Sequence, residues 1–347
     1  MDTMRERFTT ITSQLLDGQT RLAVVLAEIG ADGFTEAARR HPERVVNVGI
    51  REQLLVGVGG GLALSGMRPI LHTFASFLVE RPFEQLKLDL GHQGAEAVLV
   101  SANGSYDWPA GGYTHMAPGD VALLDTLEGW TVHVPGHPDE AEVLLREAAL
   151  GGGRVYLRLS NQTNSVPQKV GSSRDGTPGG FLTLRTGSAG APVVVAVGPM
   201  LDATLAALED TDATVLYAAT VRPFDHRALR RAVEGRASAD VVLVEPYLRG
   251  TSAARVAEAL ETVPHRLLAL GTAPEELRRY GEWEEHVAAH GLFGPRTTLR
   301  APLGTRRQAR GVHRCRSTTV RRGLIDAACS ARTAGPTRRV PDLVTVP

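Results

Sequence analysis

Apolar residues in the first half of the chain follow two alternating patterns. Short runs rich in Val, Leu and Ile predict buried strands over residues 22–26, 45–48, 69–71, 98–101, 131–134 and 155–159. Between these runs, apolar residues recur every three or four positions and predict helices over residues 52–64, 79–90, 120–127 and 139–150. Because strands that alternate with helices form βα units, the pattern indicates a largely parallel sheet.

The alternation stops at residue 160 and resumes at residue 193. Residues 161–190 are rich in Gly, Ser, Thr, Asn and Pro and predict a connecting segment. Further strands are predicted over residues 193–197, 215–218, 241–244 and 266–270, and further helices over residues 201–208, 226–233, 252–260, 275–280 and 283–290. We therefore expect an α/β domain over 1–165, a linker over 166–190 and a second α/β domain over 191–304.

Composition separates the last 43 residues from this body. Residues 305–347 hold ten arginines and two aspartates, a net charge of +8, so residues 1–304 carry −8 and the whole chain is neutral. Few apolar residues remain there, and we expect a basic, disordered tail. The tail lacks interleaved aromatic residues, which argues against nucleic acid as a partner. Both cysteines, Cys315 and Cys329, also lie there, which leaves the body without a disulfide framework or a thiolate metal site.

Neither a membrane segment nor a secretion signal is visible in the sequence. No apolar run approaches the roughly 20 residues of a spanning helix. The first seven residues mix acids and bases and lead into no apolar core of a signal peptide. The sequence thus predicts a cytoplasmic protein without a membrane partner.

Three segments that follow predicted strands concentrate polar and aromatic side chains. Glu52 begins a glycine-rich helix, Phe74 and Phe77 follow the next strand beside His72, and His115 ends a loop after the strand at 98–101. Loops at the carboxyl ends of parallel strands commonly bind ligands. The residues alone are explained equally well as a helix-terminal acid, two core rings and a surface histidine.

Glycines cluster inside the predicted helix that Glu52 begins. Gly57, Gly59, Gly60 and Gly61 do not match a dinucleotide-binding fingerprint, because they do not lie at a strand-to-helix turn. Each glycine in a helix costs about 1 kcal/mol relative to alanine. The cluster therefore indicates close approach by another helix, a ligand or a partner chain.

Taken together, these segments resemble a known enzyme family. The pyrimidine-binding domain of thiamine-diphosphate enzymes of the transketolase group is similar to RVVNVGIREQ, LHTFASFLVERPFEQLK, GGYTH and VYLRLS. The C-terminal domain of the same group is similar to ATVRPFDHRAL, VVLVEPYLRGTSAARVAEAL and YGEWEEHVAAHGL. The resemblance runs from about residue 21 to residue 292 and keeps order and spacing.

The resemblance implies a role for each candidate side chain. It implies that Glu52 hydrogen-bonds N1′ of the aminopyrimidine ring of thiamine diphosphate and that Phe74 and Phe77 stack on this ring. It implies that His115 contacts the reacting oxygens of the substrate and that His72 faces the substrate. We therefore expect Glu52 and His115 to be catalytic.

Departures from the family pattern concern substrate selection. Where sugar-phosphate transketolases usually read EDGPTH, Gly111 replaces the Asp that recognises a sugar hydroxyl and Tyr113 replaces the Pro. Asn161 replaces the arginine that grips the substrate phosphate, while Arg158 remains as an alternative substrate ligand. The candidate substrates are therefore a modified sugar, a smaller ketol donor and a 2-oxo acid.

One expected motif is missing from the whole chain. Family members hold the diphosphate and Mg²⁺ with a Gly-Asp-Gly motif in a separate domain, and no such motif occurs here. The resemblance thus implies a partner subunit that carries this domain, in an α2β2 assembly with glycines 57–61 at the contact.

These expectations combine into one leading function with two alternatives. The leading function is the pyrimidine-domain subunit of a two-component, transketolase-like enzyme that transfers a two-carbon ketol unit to an aldehyde. The alternatives are a β subunit of a 2-oxo acid dehydrogenase or acyloin-forming enzyme, and a non-catalytic assembly subunit. Pyruvate decarboxylation with a lipoyl acceptor would favour the first alternative. Retention of Glu52, Phe74, Phe77 and His115 argues against the second, which Gly111 and Asn161 leave open.

Overall fold

A computed structural model of the chain describes residues 2–171 and 179–292. The strands in this part are β1 Leu22–Leu26, β2 Val45–Asn47, β3 Arg68–Phe74, β4 Val98–Ala102, β5 Trp130–His133, β6 Arg154–Arg158, β7 Leu182–Arg185, β8 Val193–Val197, β9 Thr214–Ala218, β10 Thr220–Arg222, β11 Ala239–Leu248 and β12 His265–Thr272. The α-helices are α1 Met4–Gly18, α2 Thr35–Arg40, α3 Glu52–Leu64, α4 Phe83–Gln85, α5 Asp120–Leu124, α6 Pro138–Leu150, α7 Leu201–Ala207, α8 His226–Ala232, α9 Ala253–Ala259 and α10 Trp283–Ala289.

The strands form two sheets. The first has the order β10-β5-β6-β4-β3-β1-β2 and the second has the order β12-β11-β8-β9-β7. Neighbouring strands are parallel except for β10 beside β5 and β7 beside β9. The prediction of two largely parallel α/β sheets is confirmed.

Strand β1 shows how the first sheet receives a helix layer on each face. Successive side chains of a strand point to opposite faces. Val24 accordingly joins a core cluster with Phe8 of α1, whereas Val25 joins a second cluster with Leu55 of α3. Helices α1 and α3 therefore pack on opposite faces of the first sheet.

Helix α1 occupies a region for which the patterning gives no prediction. Its start is fixed by a capping box, in which the Thr3 side chain accepts from the Glu6 N–H at 3.1 Å and the Glu6 carboxylate accepts from the Thr3 N–H at 2.8 Å. Arg7 links α1 to α6 by two ion pairs, in which its Nη1 lies 2.7 Å from Asp139 and 2.9 Å from Glu142. The helix is thereby held against the sheet.

Three predicted segments need correction. The linker 166–190 contains strand β7, which is only partly buried and too short to show periodicity. Residues 275–280 form no helix. The helix predicted over 79–90 is divided into a π-helical turn at Ser76–Glu80, the short α4 and a second π-helical turn at Leu86–His92. Pro82 lies at the first division, where it has no N–H to continue a helix.

The described residues all fall in one compact unit, Met1–Thr305. Residues of the second predicted domain complete the first sheet, because β10 pairs with β5 there. The tail at 305–347 lies outside the described residues, so its predicted disorder stays a prediction. Among the helices that the structure describes, none is long and apolar enough to cross a membrane.

Candidate active site

Four aromatic side chains meet where the strands of the first sheet end. Phe74 ends β3, and its ring centroid lies 5.9 Å from that of Phe77 and 5.8 Å from that of Trp108. His115 lies 5.3 Å from Phe77 and 5.2 Å from Trp108, with both ring pairs edge to face. The structure thus brings together the predicted Phe74, Phe77 and His115 and adds Trp108, which is part of the same loop as His115.

Glu52 is connected to this aromatic cluster through an arginine. The glutamate is the first residue of α3, where the helix dipole favours a carboxylate, and its side chain is only 2% exposed. Nη1 of Arg81 lies 2.7 Å from its Oε2. The Arg81 guanidinium also lies 4.0 Å from the centroid of the Phe77 ring. Glu52, Arg81 and Phe77 therefore form one contiguous site.

The hydrogen bonds of His115 fix its tautomer. Its Nδ1 lies 3.0 Å from the carbonyl oxygen of Gly111 and 2.9 Å from Oγ1 of Thr114. A carbonyl oxygen only accepts, so we assign the ring hydrogen to Nδ1. Nε2 is then the nitrogen through which His115 can accept a proton or a hydrogen bond from another group.

His72 lies in β3 and is buried. It is not exposed at the surface around the aromatic cluster, which we call the cleft. Its Nδ1 lies 2.7 Å from the carbonyl oxygen of Val100, and its ring packs 4.6 Å from that of Phe8. Burial lowers the pKa of His72 to about 4, and the charge of Arg5 adds a smaller effect in the same direction. Its Nε2 is buried without a partner among the described residues. His72 is therefore neutral near pH 7.

Arg158 lies under the loop that carries the aromatic cluster. The residue is 1% exposed, and its guanidinium donates to Asp120 and to Ser105, each at 2.7 Å. Burial disfavours the charge, but Asp120 and the other neighbouring acids outweigh this effect and raise the pKa of Arg158 above its ordinary value. The structure does not bring Arg158 into the cluster, and its side chain holds the loop in place instead.

Asn161 is exposed, but its side-chain amide and its backbone N–H are engaged in hydrogen bonds with neighbouring loop residues. Its Nδ2 donates to the backbone oxygen of Asp107 at 3.0 Å and to Oδ1 of Asn103 at 3.3 Å, and its N–H donates to the Asp107 carboxylate at 3.1 Å. Burial raises the pKa of Asp107 to about 6, partly offset by Arg158. Where the family carries a phosphate-binding arginine, this chain has a neutral side chain that ties two loops together.

Arg5 also lies beside the aromatic cluster, although the sequence patterns do not predict it. It lies in the first turn of α1, and its guanidinium carbon is 5.9 Å from the centroid of Phe74. Burial lowers the pKa of Arg5. Within residues 2–171 and 179–292 its guanidinium has no hydrogen-bond or ion-pair partner. The capping box at Thr3 and Glu6 is the sequence signal that could have predicted this helix start.

The helical glycines serve contacts within the chain. A Cβ on Gly59 would come within 2.7 Å of the Leu71 side chain, and a Cβ on Gly60 would lie 3.0 Å from the backbone oxygen of Asp89. A Cβ on Gly61 would meet no atom within 4 Å. Apolar side chains are nevertheless exposed at and around α3 and the turn that packs on it, namely Ile50, Leu54, Leu64 and Leu88. The close approach at Gly59 and Gly60 is therefore intramolecular, while the predicted contact of the glycine cluster with a partner chain stays a prediction.

The donor set fits the pyrimidine half of thiamine diphosphate. A buried carboxylate beside stacked aromatic rings suits a flat, nitrogen-containing ring. No group of three or more His, Cys, Asp or Glu side chains that could hold a metal is found in the described part of the chain. The residues present would therefore hold the ring.

Comparisons with known proteins give the same assignment. Residues 3–165 match the family described as "Transketolase, pyrimidine binding domain". The chain is 52% identical over 286 residues to the "Uncharacterized 33.6 kDa protein in fasciation locus" of Rhodococcoides fascians, with 82% of this chain and 89% of that protein covered. It is 28% identical over 307 residues to an apulose-4-phosphate transketolase subunit of Actinobacillus succinogenes, with 87% and 92% covered.

A solved structure supports the likeness over both sheets. It is described as "Split gene transketolase, inactive beta4 tetramer" and matches with a TM-score of 0.71 and 26% identity. The match covers 87% of this chain and 98% of that chain. The likeness is therefore to a subunit of comparable extent.

Proposed function

The chain belongs to the transketolase family, and we propose that it is the pyrimidine-binding subunit of a two-component, thiamine-diphosphate-dependent enzyme that transfers a two-carbon ketol unit to an aldehyde. The observation that carries this proposal is the position of Glu52. Its carboxylate is almost fully buried at the start of α3. It is nevertheless adjacent to the aromatic cluster, because Arg81 contacts both Glu52 and Phe77.

Each residue of the site has a part in this reaction. Glu52 would hold the aminopyrimidine ring by sharing a proton with its ring nitrogen, since a carboxylate can do so in a site shielded from water. Phe77 and Phe74 would stack on the ring. His115 would contact the reacting oxygen through Nε2. Thiamine diphosphate, when bound there, supplies the nucleophilic carbon and the electron sink that cleavage of a carbon–carbon bond needs.

A second subunit is part of the proposal. The chain has no Gly-Asp-Gly motif, so a partner would supply the groups that bind the diphosphate and Mg²⁺. Ile50, 72% exposed, and Leu54, 45% exposed, flank Glu52 and give this face an apolar character suited to a protein contact. The split-gene relative is described as an inactive β4 tetramer, which supports dependence on a partner. We propose an α2β2 assembly.

The substrate proposed is a ketose-type donor without the usual phosphate contact at position 161. The Asn161 side chain is neutral and donates to Asn103 and Asp107, and Gly111 has no side chain with which to bind a hydroxyl. Arg5 is then the cation that could meet an anionic group of the substrate, since it lies beside Phe74 and has no partner within the described residues. An anion, if present, would therefore sit at the α1 side of the cleft.

Reconstitution tests this function. The chain would be co-expressed with a neighbouring gene product that carries a Gly-Asp-Gly domain, and thiamine diphosphate binding would be measured by calorimetry with Mg²⁺. Ketol transfer would be assayed over a panel of ketoses and 2-oxo acids. We expect turnover and tight binding of thiamine diphosphate from the two subunits together, and turnover from neither alone. Full turnover by this chain alone, or decarboxylation of 2-oxo acids without any ketol transfer, would contradict the proposal.

A further inference from the structure

Arg81 makes the two contacts that the proposed function assigns to the cofactor ring. Its Nη1 lies 2.7 Å from the carboxylate of Glu52, and its guanidinium carbon lies 4.0 Å above the ring of Phe77. A guanidinium is flat and carries N–H donors on its edge, as an aminopyrimidine ring is flat and carries an amino group. Arg81 thus takes one oxygen of this carboxylate and one face of this ring.

We infer that Arg81 is a placeholder residue of the cofactor site, which occupies the position between Glu52 and Phe77 in the free subunit and leaves when the aminopyrimidine ring enters. This inference rests on the proposed function, because it takes that ring as the ligand. It adds a residue that competes with the ring and sets how readily the site accepts it.

The local fold places Arg81 on the same side as Phe77. Both residues belong to the π-helical turn around Ser76–Glu80, and the N–H of Arg81 donates to the carbonyl oxygen of Ser76 at 3.2 Å. Such i to i+5 turns occur mostly as single insertions, often at functional sites. Pro82 ends the turn directly after Arg81, because it has no N–H to extend the ladder.

Burial explains why the free subunit needs a placeholder. The Glu52 side chain is 2% exposed, and a buried carboxylate without a partner is strongly unfavourable. The Arg81 side chain is 38% exposed, so it neutralises Glu52 from the solvent boundary. Rotation of the arginine side chain into water can open the site without a change in the backbone.

Exchange of the partner also changes what Glu52 does. A guanidinium only donates hydrogen bonds, so Glu52 accepts from Arg81. A ring nitrogen with a free lone pair accepts, so Glu52 must bring a proton to it. Arg81 therefore keeps Glu52 as an acceptor until the ring takes its place.

Competition with Arg81 lowers the apparent affinity of the site for the aminopyrimidine ring. A ligand that binds only the open form has its apparent affinity reduced by the fraction of open sites. Removal of a stacked, ion-paired arginine should raise affinity by roughly tenfold, given the usual strength of one cation–π contact and one partly exposed ion pair.

The test uses the full-length chain and the neutral fragment 4-amino-5-hydroxymethyl-2-methylpyrimidine. Binding is followed by ligand-observed NMR and by tryptophan fluorescence in the wild type, Arg81→Ala, Arg81→Gln and Glu52→Ala. Arg81→Gln keeps a donor for Glu52 in case Arg81→Ala folds poorly. Arg51→Ala is the matched control, because it removes an exposed arginine that is adjacent to Glu52 in the chain. Thermal melting checks that each variant is folded.

We expect both Arg81 variants to bind the fragment roughly tenfold more tightly than the wild type, Arg51→Ala to match the wild type, and Glu52→Ala, which has no donor for the ring nitrogen, to lose binding. Equal or weaker binding by both Arg81 variants, with binding still lost in Glu52→Ala, overturns the placeholder and leaves the proposed function standing. Binding that is indifferent to Glu52→Ala, or absent from every folded variant, overturns the pyrimidine site and the placeholder together.

Discussion

The indole of Trp108 fills the space that a side chain at position 111 would need. A Cβ built on Gly111 would lie 2.8 Å from Cδ2 of Trp108, closer than real Cβ contacts. The same indole meets the rings of Phe74 and His115. The Asp that related sugar-phosphate enzymes carry at this position cannot coexist with it. Gly111 and Trp108 therefore form a pair that replaces a hydroxyl-binding carboxylate with an aromatic wall.

Gly111→Asp should push the indole out of the cleft. Overpacking of this kind costs about 1–3 kcal/mol, and displacement of His115 should lower kcat/KM of the reconstituted enzyme by roughly 10- to 100-fold. Trp108→Ala in the same chain should recover the lost free energy of unfolding, because it restores the space. Gly18→Ala, with open space around Gly18, is the control. Equal stability of Gly111→Asp and the wild type would show that the pair is not coupled.

Arg5→Met tests whether Arg5 is the cation that binds an anionic group of the substrate. If Arg5 meets an anionic group of the substrate, its loss should raise KM for anionic substrates by about 10-fold or more and leave neutral substrates unchanged, since a charge-assisted bond is worth about 1.5–3 kcal/mol. Arg7→Met is the matched control on the same helix, because Arg7 is committed to Asp139 and Glu142. A KM that is equally insensitive to both substitutions would remove Arg5 from the substrate site.

Arg158→Met tests whether this buried arginine supports the loop. Removal of one partner of a buried pair leaves Asp120 uncompensated and should lower the free energy of unfolding by about 3–5 kcal/mol. Replacement of both partners, as in Arg158→Met with Asp120→Leu, should recover part of the loss. Urea unfolding measures both. Unchanged stability together with a raised KM would instead return Arg158 to the role of a substrate ligand.

His72 should make the stability of the chain depend on pH. Its pKa is about 4 in the folded protein and about 6.5 in an unfolded chain, so the unfolded state takes up the proton first as the pH falls. The stability that this residue contributes is therefore lost below pH 6.5, by about 2 kcal/mol between pH 7 and pH 5. His72→Phe should shrink the difference in unfolding free energy between these two pH values by that amount. An unchanged difference would contradict the burial of a neutral His72.

Elements with strong local patterns are predictable from the sequence. Strand β1 and helix α3 begin and end where the apolar pattern predicts, because both are bounded by residues that break the pattern. Glu52, Phe74, Phe77 and His115 lie in segments that keep the order and spacing of the family, and their roles stay predictions. Because the same residues are explained equally well by structural roles, the resemblance is what singles them out.

Contacts between distant segments are not visible in the sequence. Arg158 lies in a strand pattern that does not reveal whether its guanidinium faces a cleft or a buried acid such as Asp120, 38 residues away. Arg5 enters the cleft only because α1 packs across β1. Arg81 reaches Glu52 because a π-helical turn replaces the regular helix that the periodicity predicts.

The most direct test of the account is ketol transfer by the reconstituted two-subunit enzyme with Glu52→Gln. The substitution keeps the size of the side chain but removes the group that can share a proton with the cofactor ring. Glu43→Gln, at an exposed carboxylate, is the control. The account predicts that turnover falls by about 10²- to 10⁴-fold in Glu52→Gln while assembly and melting temperature match those of Glu43→Gln. Full turnover in Glu52→Gln would contradict it.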